Sequence, residues 1–443
     1  MCARKLFHRF EKLSLILLMA TKLTRSMSTA SVKKRNKLVF HWFRHGDLRV
    51  HDNPALVHSI KLIDGDDTGT IIPIFCFDTN LFGNGSQTPF GTLKVGPKRA
   101  KFLLESVSDL RSTLTNSLQA GLAVALGEPS AVFDKILAQI KDEDTLDILI
   151  VCQEEVLKEE RDSVAAVQSV LKKYRPQTKG VQSIWGSTMY ELKDLPFDGN
   201  LVNMPDVFTP FRNKVEKYSV IQKPLLTPKK LPFPESGSIV YQAFLGLSSY
   251  MPTLKDLGYT DEQISYAESD DPRGVMKFTG GETAALARVQ DYIWAKDLLK
   301  VYFETRNGMI GGDYSSKFSP WLAHGCLSPR KVVVECKKYE EKVVANKSTY
   351  WLVFELLWRD FCKFFCVKHG NSVFFPGGTV GKAKKWSHYE KNFDAWREGR
   401  TGYPLVDANM RELKATGFMS NRGRQNVASF LAIDLNHDWR FGA

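Results

Sequence analysis

The chain has 443 residues, of which 43% are hydrophobic and 25% are charged. This length and composition are typical of a globular protein of two or three domains, and they exclude a disordered or collagen-like chain. The formal charge of +12 alone would indicate a nucleic-acid partner.

The charge is distributed unevenly along the chain. Residues 1–37 carry +9, residues 38–271 carry −7 and residues 272–443 carry +10, and seven of the nine Trp follow residue 271. Basic surface with interleaved aromatic residues suits a polyanion whose bases can stack. A solvated cationic face over a Trp-rich core would give the same count, so charge leaves both interpretations open.

The seven cysteines form no Cys-x-x-Cys pair and indicate a reducing compartment. Cys362, Cys366 and His369 recur at helical spacing, but in so apolar a helix we interpret them as core thiols and a surface imidazole. No metal site is therefore predicted.

Residues 1–37 are predicted to be an organelle transit peptide, because they are rich in Lys, Arg, Ser and Thr and almost free of acid. Mitochondrion and plastid cannot be separated on this composition. Met19 and Met27 are alternative starts that would leave the protein in the nucleus or cytoplasm. No membrane span is expected, since the apolar run Leu13–Ala20 is too short.

Residues 38–185 alternate apolar strands with amphipathic helices, which predicts an α/β domain with a doubly wound parallel sheet. Such sheets bind ligands outside the carboxyl ends of their strands. Arg44 and Asp47 follow the first strand and are interpreted as an ion pair, whereas Glu154 and Glu155 follow the fourth and either begin a helix or hold a nitrogen heterocycle. The strands are predicted at Leu38–Phe43, Ile71–Phe77, Leu122–Leu126, Leu146–Cys152 and Val181–Trp185, and the helices near 97–118, 130–141 and 156–174.

Residues 186–280 have weak periodicity and frequent Pro, Gly and Ser, and are predicted to be a connector over a domain surface. From residue 281 to 443 helical patterns dominate, beginning with a run from Thr283 to Phe303, so a second, all-helical domain is expected.

The loop Asn307–Trp321 combines glycines, three serines and Lys317 ahead of a helix, a set that can hold a phosphate. Ser319-Pro320 also reads as a helix cap, and we favour both functions together. In the next helix Glu355 and Arg359 share a face and are predicted to pair, either as a structural ion pair or facing a ligand beside Trp358.

The segment Thr401–Ala443 predicts a helix from Asp407, a break at Gly417 and a second helix through Val427 and Leu435. The polar run Asn421–Asn426 is placed at the elbow between them, as a solvated corner or a binding site.

These blocks in this order resemble the photolyase/cryptochrome flavoprotein family, and most closely its DASH cryptochromes. The blocks span nearly all of 38–443. They are WFRHGDLRVHDNPAL (42–56), CQEEV (152–156), GGETAALARVQDYIW (280–294), YFETRNGMIGGDYSSKFSPWLAHGCLSPR (302–330), STYWLVFELLWRDF (348–361) and TGYPLVDANMRELKATGFMSNRGRQNVASFLAIDL (401–435).

The resemblance implies an FAD-binding helical domain and an antenna in the first domain, methenyltetrahydrofolate in relatives, with Cys152 and Glu155 as contacts. Glu355, Asn421 and Trp358 would be catalytic, and Trp386 and Trp439 would carry electrons. The implied cofactor-binding residues are Tyr302, Ser315, Ser316, Phe318, Ser319, Glu355, Arg359 and Arg424.

The implied activity is blue-light repair of cyclobutane pyrimidine dimers by electron transfer from excited reduced FAD. The partner would be UV-damaged, mainly single-stranded DNA, with RNA as a further partner, bound by a monomer. The alternatives are a nucleic-acid-binding photoreceptor without repair and a truncated inactive isoform. Truncation is considered because the family pattern continues past Ala443, with an Asp and an Asn near the flavin and the Trp closest to it; Arg424 would pair with that Asp.

Overall fold

The computed structural model describes residues 36–65, 69–140, 146–247 and 251–442. The predicted transit peptide, including Met19 and Met27, lies outside the described residues except for its last two positions. In the described part of the chain, no helix is both long and apolar enough to cross a membrane.

The N-terminal domain is built on a five-stranded parallel sheet with the order β3-β2-β1-β4-β5. The central strands are buried on both faces, as continuous Val, Ile and Phe runs predict for a parallel sheet. The predicted fold class and all five strands are confirmed. The strands are β1 (Asn36–Phe43), β2 (Thr70–Phe77), β3 (Ala123–Leu126), β4 (Leu146–Gln153) and β5 (Val181–Ile184).

Four helices cover this sheet: α1 (Pro54–Ile63), α2 (Pro97–Leu118), α3 (Pro129–Gln139) and α4 (Lys158–Tyr174). The last three coincide with the predicted helices to within two residues. The first was not predicted, although its start carries a clear signal. Asn53 Oδ1 accepts a hydrogen bond from the Leu56 amide at 3.0 Å, and Pro54 occupies the first position.

The strand order reverses between β1 and β4, which pair in parallel through Trp42 and Cys152. The loops that follow these two strands therefore meet at the switch point of the sheet, where such folds bind ligands.

The connector contains more regular structure than the sequence predicts. It forms α5 (Phe208–Tyr218), α6 (Ile239–Leu247) and α7 (Asp261–Glu268). Phe211 and Val215 of α5 are fully buried. These helices span only two or three turns between Pro- and Gly-rich stretches, so their periodicity is too short to stand out.

The C-terminal domain is helical, as predicted. The expected continuous helix from Thr283 to Phe303 is wrong, because the chain turns after Ala295 and Asp297 adopts a left-handed φ of 54°. A short polar Asp tolerates that conformation better than most residues. The helices are α8 (Glu282–Val289, extended by a π-helical turn Gln290–Ala295), α9 (Tyr302–Thr305), α10 (Ser319–Ala323), α11 (Pro329–Lys342), α12 (Lys347–His369), α13 (Glu390–Arg397), α14 (Pro404–Thr416) and α15 (Asn421–Ser429, followed by a π-helical turn Phe430–Asp434).

The two domains are joined by a buried polar cluster. Arg330 Nη2 lies 2.6 Å from Asp52 Oδ1, with both side chains at most 3% exposed. Glu282 at the start of α8 accepts hydrogen bonds from the backbone amides of Val50 and His51. The loop after β1 is therefore fixed against the helical domain by charge-assisted hydrogen bonds.

Candidate functional site

Three separate segments of the helical domain converge on Glu355 of α12. Its Oε1 accepts a hydrogen bond from Trp351 Nε1 at 3.2 Å and lies 3.8 Å from Arg306 Nε. Arg422 of α15 acts on the same carboxyl through its charge and donates to Asn307 Oδ1 at 2.6 Å. The loop after α9, the middle of α12 and the start of α15 thus meet at this carboxyl, which is 38% exposed; the solvent-facing surface around Glu355 is called the opening below.

Partial burial raises the pKa of Glu355, and Arg306, Trp351 and Arg422 offset this effect only in part. The carboxyl is therefore poised to keep a proton more readily than an exposed glutamate does. Burial and the neighbouring Glu355 also raise the pKa of Tyr302, which is buried at the start of α9.

Trp358 lies one helical turn beyond Glu355 and is 40% exposed. Phe208 of α5 stacks on its ring, with the ring centroids 3.6 Å apart and the planes within 11°. One face of the indole is therefore covered by the connector while the rest of the side chain faces the opening. Phe208 was not predicted as a site residue, because it lies in the segment predicted to lack regular structure.

The predicted ion pair between Glu355 and Arg359 is wrong. Arg359 instead donates to the carbonyl oxygens of Ser187 at 2.5 Å and Leu322 at 3.1 Å. The guanidinium turns toward the domain interface because two backbone acceptors satisfy it there, while Glu355 faces the opening. The cofactor-binding function of Arg359 stays a prediction.

The serine-rich loop is organised by Arg288, which the sequence analysis missed. Its guanidinium donates to the carbonyls of Gly312, Ser315 and Ser316 at 3.0, 3.4 and 3.1 Å. The available signal in the sequence was an arginine within an apolar helical run, because such a residue is costly to bury unless its donors are satisfied. The residues predicted to bind the phosphates follow in sequence along this loop.

The predicted cofactor residues of the loop differ in exposure. Ser316 and Phe318 are buried, Ser319 is exposed, and Ser315 Oγ accepts from Lys317 Nζ at 2.9 Å. Lys317 has a φ of 60°, and burial lowers its pKa to about 7. The predicted cap at Ser319 is wrong: α10 begins at Ser319 itself, with Phe318 as the capping position and Pro320 inside the first turn.

The polar run Asn421–Asn426 does not form the predicted elbow; it is the first part of α15. Ser420 caps that helix by accepting from the Gly423 amide at 2.9 Å. A Cβ at Gly423 would collide with Asn409 Oδ1 of α14, so glycine allows the close approach of the two helices. Asn421 is exposed at the helix start.

Arg424 of α15 has no ion-pair partner in the described part of the chain. Its Nε donates to the Met419 carbonyl at 3.3 Å, and no carboxylate of the described residues lies within ion-pair distance. Burial lowers its pKa. A guanidinium in that position has donors left for an anionic or carbonyl-bearing ligand.

At the carboxyl ends of β1 and β4 the two predicted antenna residues lie in different settings. Cys152 is fully buried, and burial raises the pKa of its thiol. Glu155 is nearly buried and pairs through Oε2 with Lys363 Nζ of α12 at 2.7 Å. Its Oε1 accepts from Gln153 Nε2 at 2.7 Å. Glu155 therefore links the sheet edge to the helical domain.

The predicted side-chain ion pair between Arg44 and Asp47 is wrong. Asp47 Oδ1 accepts from the backbone amide of Arg44 at 2.6 Å, whereas the guanidinium donates to the Glu160 carbonyl at 3.0 Å and lies over Trp42. The tight turn places the Asp47 carboxylate against the amide, and burial raises its pKa to about 7.

The two tryptophans predicted to carry electrons lie toward the C-terminal end. Trp386 Nε1 donates to the Pro376 carbonyl at 3.2 Å, and Lys384 Nζ lies 3.8 Å above its ring. Trp439 is half-buried at the start of a short 3₁₀ turn, Trp439–Gly442. Their electron-transfer function stays a prediction.

The donor set around the loop fits a flavin dinucleotide. A diphosphate needs hydroxyl, amide and cationic donors, and the loop offers the Ser315 and Ser319 hydroxyls together with Lys317. Tyr314 OH is buried without a hydrogen-bond partner in the described part of the chain. Within the same residues no group of three His, Cys, Asp or Glu side chains is arranged to hold a metal.

Comparison with known proteins agrees with this arrangement. Residues 39–234 match the family profile described as DNA photolyase, and residues 351–443 match the FAD binding domain of DNA photolyase. Cryptochrome DASH, chloroplastic/mitochondrial, of Ostreococcus tauri is 44% identical over 91% of this chain and 73% of its own length. Cryptochrome DASH of Gloeobacter violaceus is 44% identical over 92% of this chain and 74% of its own length.

The crystal structure of a Synechocystis cryptochrome superimposes with a TM-score of 0.80 at 42% identity, covering 92% of this chain and 77% of that one. The parallel sheet, the helical FAD-binding domain and both family profiles therefore lead to one assignment. The chain belongs to the photolyase/cryptochrome family and is a relative of the DASH cryptochromes.

Proposed function

We propose that this flavoprotein repairs cyclobutane pyrimidine dimers in single-stranded DNA under blue light, acting as a monomer. The observation that carries the proposal is the opening where Glu355 and the exposed part of Trp358 lie one turn apart, beside Arg306 and Arg422. A carboxyl with a raised pKa, an aromatic face and two cations can bind the two linked pyrimidines of a dimer and the phosphates beside them.

FAD, when bound and reduced, supplies the light-excited electron donor for splitting the dimer. The residues of this chain bind and orient it. In this proposal Tyr302 and Arg424 lie beside the flavin, and the loop holds the diphosphate and ribityl chain through Ser315, Ser316, Phe318 and Ser319.

Glu355 donates a hydrogen bond to a carbonyl oxygen of the damaged pyrimidine. Its raised pKa favours the protonated carboxyl that such a bond requires. Trp358 packs on the pyrimidine edge with its exposed face, and Asn421, exposed at the start of α15, anchors the lesion.

The dimer must leave the base stack to reach this opening, and that step costs least in single-stranded DNA. The net charge of +10 over residues 272–443 supports binding of a flexible polyanion. RNA is proposed as a further partner, because it is also a flexible polyanion.

For the antenna, the proposal places methenyltetrahydrofolate at the sheet edge near Cys152 and Glu155. The Glu155–Lys363 ion pair at 2.7 Å would remain beside it as a link between the domains. An organelle location is proposed as well, because the Ostreococcus, rice and Arabidopsis relatives carry names with chloroplastic/mitochondrial.

Replacing Glu355 with alanine tests the proposal. We expect the yield of dimer loss from an irradiated single-stranded oligonucleotide under blue light to fall about tenfold, since a hydrogen bond from the protonated carboxyl to the lesion is lost. The ratio of FAD to protein should stay near that of the unmodified chain.

Glu341→Ala is the matched control, because this glutamate is exposed on α11 away from the opening. Loss of FAD from Glu355→Ala would show that the carboxyl is needed for the structure of the cofactor site, and not specifically for repair. Blue-light reduction of bound flavin without any dimer loss in the unmodified chain would replace repair with a photoreceptor function.

A further inference from the structure

The shape of the serine-rich loop depends on one side chain outside it. Arg288 of α8 is 7% exposed, and its guanidinium donates hydrogen bonds to three carbonyl oxygens of the loop, those of Gly312, Ser315 and Ser316. Only arginine offers a planar fork of five donors that can reach three acceptors spread over five residues.

This arrangement fixes the direction of the loop amides. Across a planar trans peptide the N–H of one residue points opposite to the carbonyl of the residue before it. With the three carbonyls directed at Arg288, the amides of Asp313, Ser316 and Lys317 point to the other side of the loop.

These three amides have no acceptor of their own. None of them donates a hydrogen bond to any group in the parts of the chain that the structure describes. Lys317, the last of the three, adopts a left-handed φ of 60°, the kind of backbone in which successive N–H groups form a concave anion site. Ser316 and Lys317 are buried, whereas Asp313 is exposed. Amides of buried residues that lack acceptors point to a ligand that supplies them.

Arg288 itself is already neutralised. Its Nη1 lies 2.6 Å from Asp291 Oδ2 and 3.4 Å from Asp313 Oδ1, and Lys296 bridges the same two carboxylates at 3.2 and 3.1 Å. Its donors are thus directed to protein acceptors, and it acts on a ligand only through the loop.

We propose that Arg288 is a positioning residue for the diphosphate of the cofactor, holding the loop carbonyls so that the amides of Asp313, Ser316 and Lys317 face the phosphate oxygens. The inference rests on the proposed function, in which this loop binds the FAD diphosphate. It adds a residue and a set of amides that the sequence motifs did not indicate.

The test compares binding of FAD, ADP and riboflavin to apoprotein of the full chain. In Arg288→Lys a single ammonium cannot hold three carbonyls, so we expect the affinities for FAD and ADP to fall about tenfold, the equivalent of about one good hydrogen bond. Riboflavin affinity should stay unchanged, because riboflavin lacks the diphosphate. Arg273→Lys is the matched control, since that arginine is 84% exposed and, among the residues that the structure describes, pairs with Asp271 alone, within its own turn.

Asp291→Asn provides a second variant should Arg288→Lys fail to fold, because Asp291 is half-exposed and touches Arg288 from outside the loop. It should weaken ADP binding about threefold. Equal losses of ADP and riboflavin affinity, or wild-type ADP affinity in both variants, would overturn the assignment of Arg288 while leaving the cofactor site intact. Wild-type protein that binds neither FAD nor ADP would overturn the proposed function and this inference together.

Discussion

At the scale of single residues, the function of Trp358 depends on a partner from another part of the chain. Phe208 stacks on one face of its ring and makes edge-to-face contacts with Phe354 and Phe361. The indole plane is thereby fixed relative to Glu355 on the same helix. A side chain that receives a flipped base benefits from such rigidity because less conformational entropy is lost on binding.

We therefore predict that Phe208→Leu weakens binding of a dimer-containing single-stranded oligonucleotide about fivefold, the equivalent of losing one stacked aromatic pair. The FAD content should not change, since Phe208 does not touch the serine-rich loop. Fluorescence anisotropy with the labelled oligonucleotide measures the affinity.

Phe233→Leu is the control for that measurement. Phe233 makes an edge-to-face contact with Phe244 of α6, on the sheet side of the molecule. A similar loss of affinity in both variants would mean that general destabilisation, and not the orientation of Trp358, causes the effect.

At the scale of secondary structure, the sequence predicted most of what local rules determine. The five strands were found because buried Val, Ile and Phe runs are continuous, and Gly417 was identified as a helix end because only glycine readily adopts its φ of 73°. The break after Ala295 was missed because it depends on Asp297 and its contact with Tyr339 of α11, which no local pattern carries.

Side-chain direction was harder to predict than element position. The spacing of Glu355 and Arg359 correctly placed them on one helix face, yet the two groups diverge because Ser187 and Leu322 carbonyls from elsewhere in the fold bind the arginine. In the same way, the sequence could not predict the function of Arg288, because its three carbonyl acceptors lie in a loop distant from it along the chain.

Gly417 gives a prediction at this scale, since it ends α14 and directs the chain into Ser420 and α15. Gly417→Ala should lower the free energy of unfolding by about 1 kcal/mol, because alanine is strained at a left-handed φ. Its Cβ would also meet the Lys98 side chain, which can move aside. Urea denaturation measures the change.

Gly199→Ala is the comparison, because no atom lies within 4 Å of the added Cβ and its φ is outside the left-handed region. That variant should be neutral or slightly more stable. An equal loss in both variants would contradict the conformational explanation.

At the scale of the whole molecule, buried charged residues connect the helical domain to the rest of the chain through ion pairs and hydrogen bonds. Asp360 of α12 is fully buried and accepts from the backbone amides of Met189 at 2.8 Å and Tyr190 at 3.2 Å, just after the last strand. Together with Asp52–Arg330 and Glu155–Lys363, this contact determines how the α12 residues at the opening sit relative to the sheet edge.

The titration of Asp360 makes the domain interface sensitive to pH. Burial raises its pKa from 3.8 to about 7, against the opposing effects of Arg359 and the two amides. Between these values the folded protein holds a proton that the unfolded chain has released, so the contribution of Asp360 to stability is present below pH 4 and is lost as the pH rises toward 7. Each pH unit in this window lowers the free energy of unfolding by at most about 1.4 kcal/mol. Asp360→Asn, whose amide oxygen can still accept from the Met189 and Tyr190 amides, should remove this part of the slope. Urea denaturation of both proteins at intervals between pH 4.5 and 8 measures it, and identical slopes for the two would show that Asp360 stays ionised across the whole range.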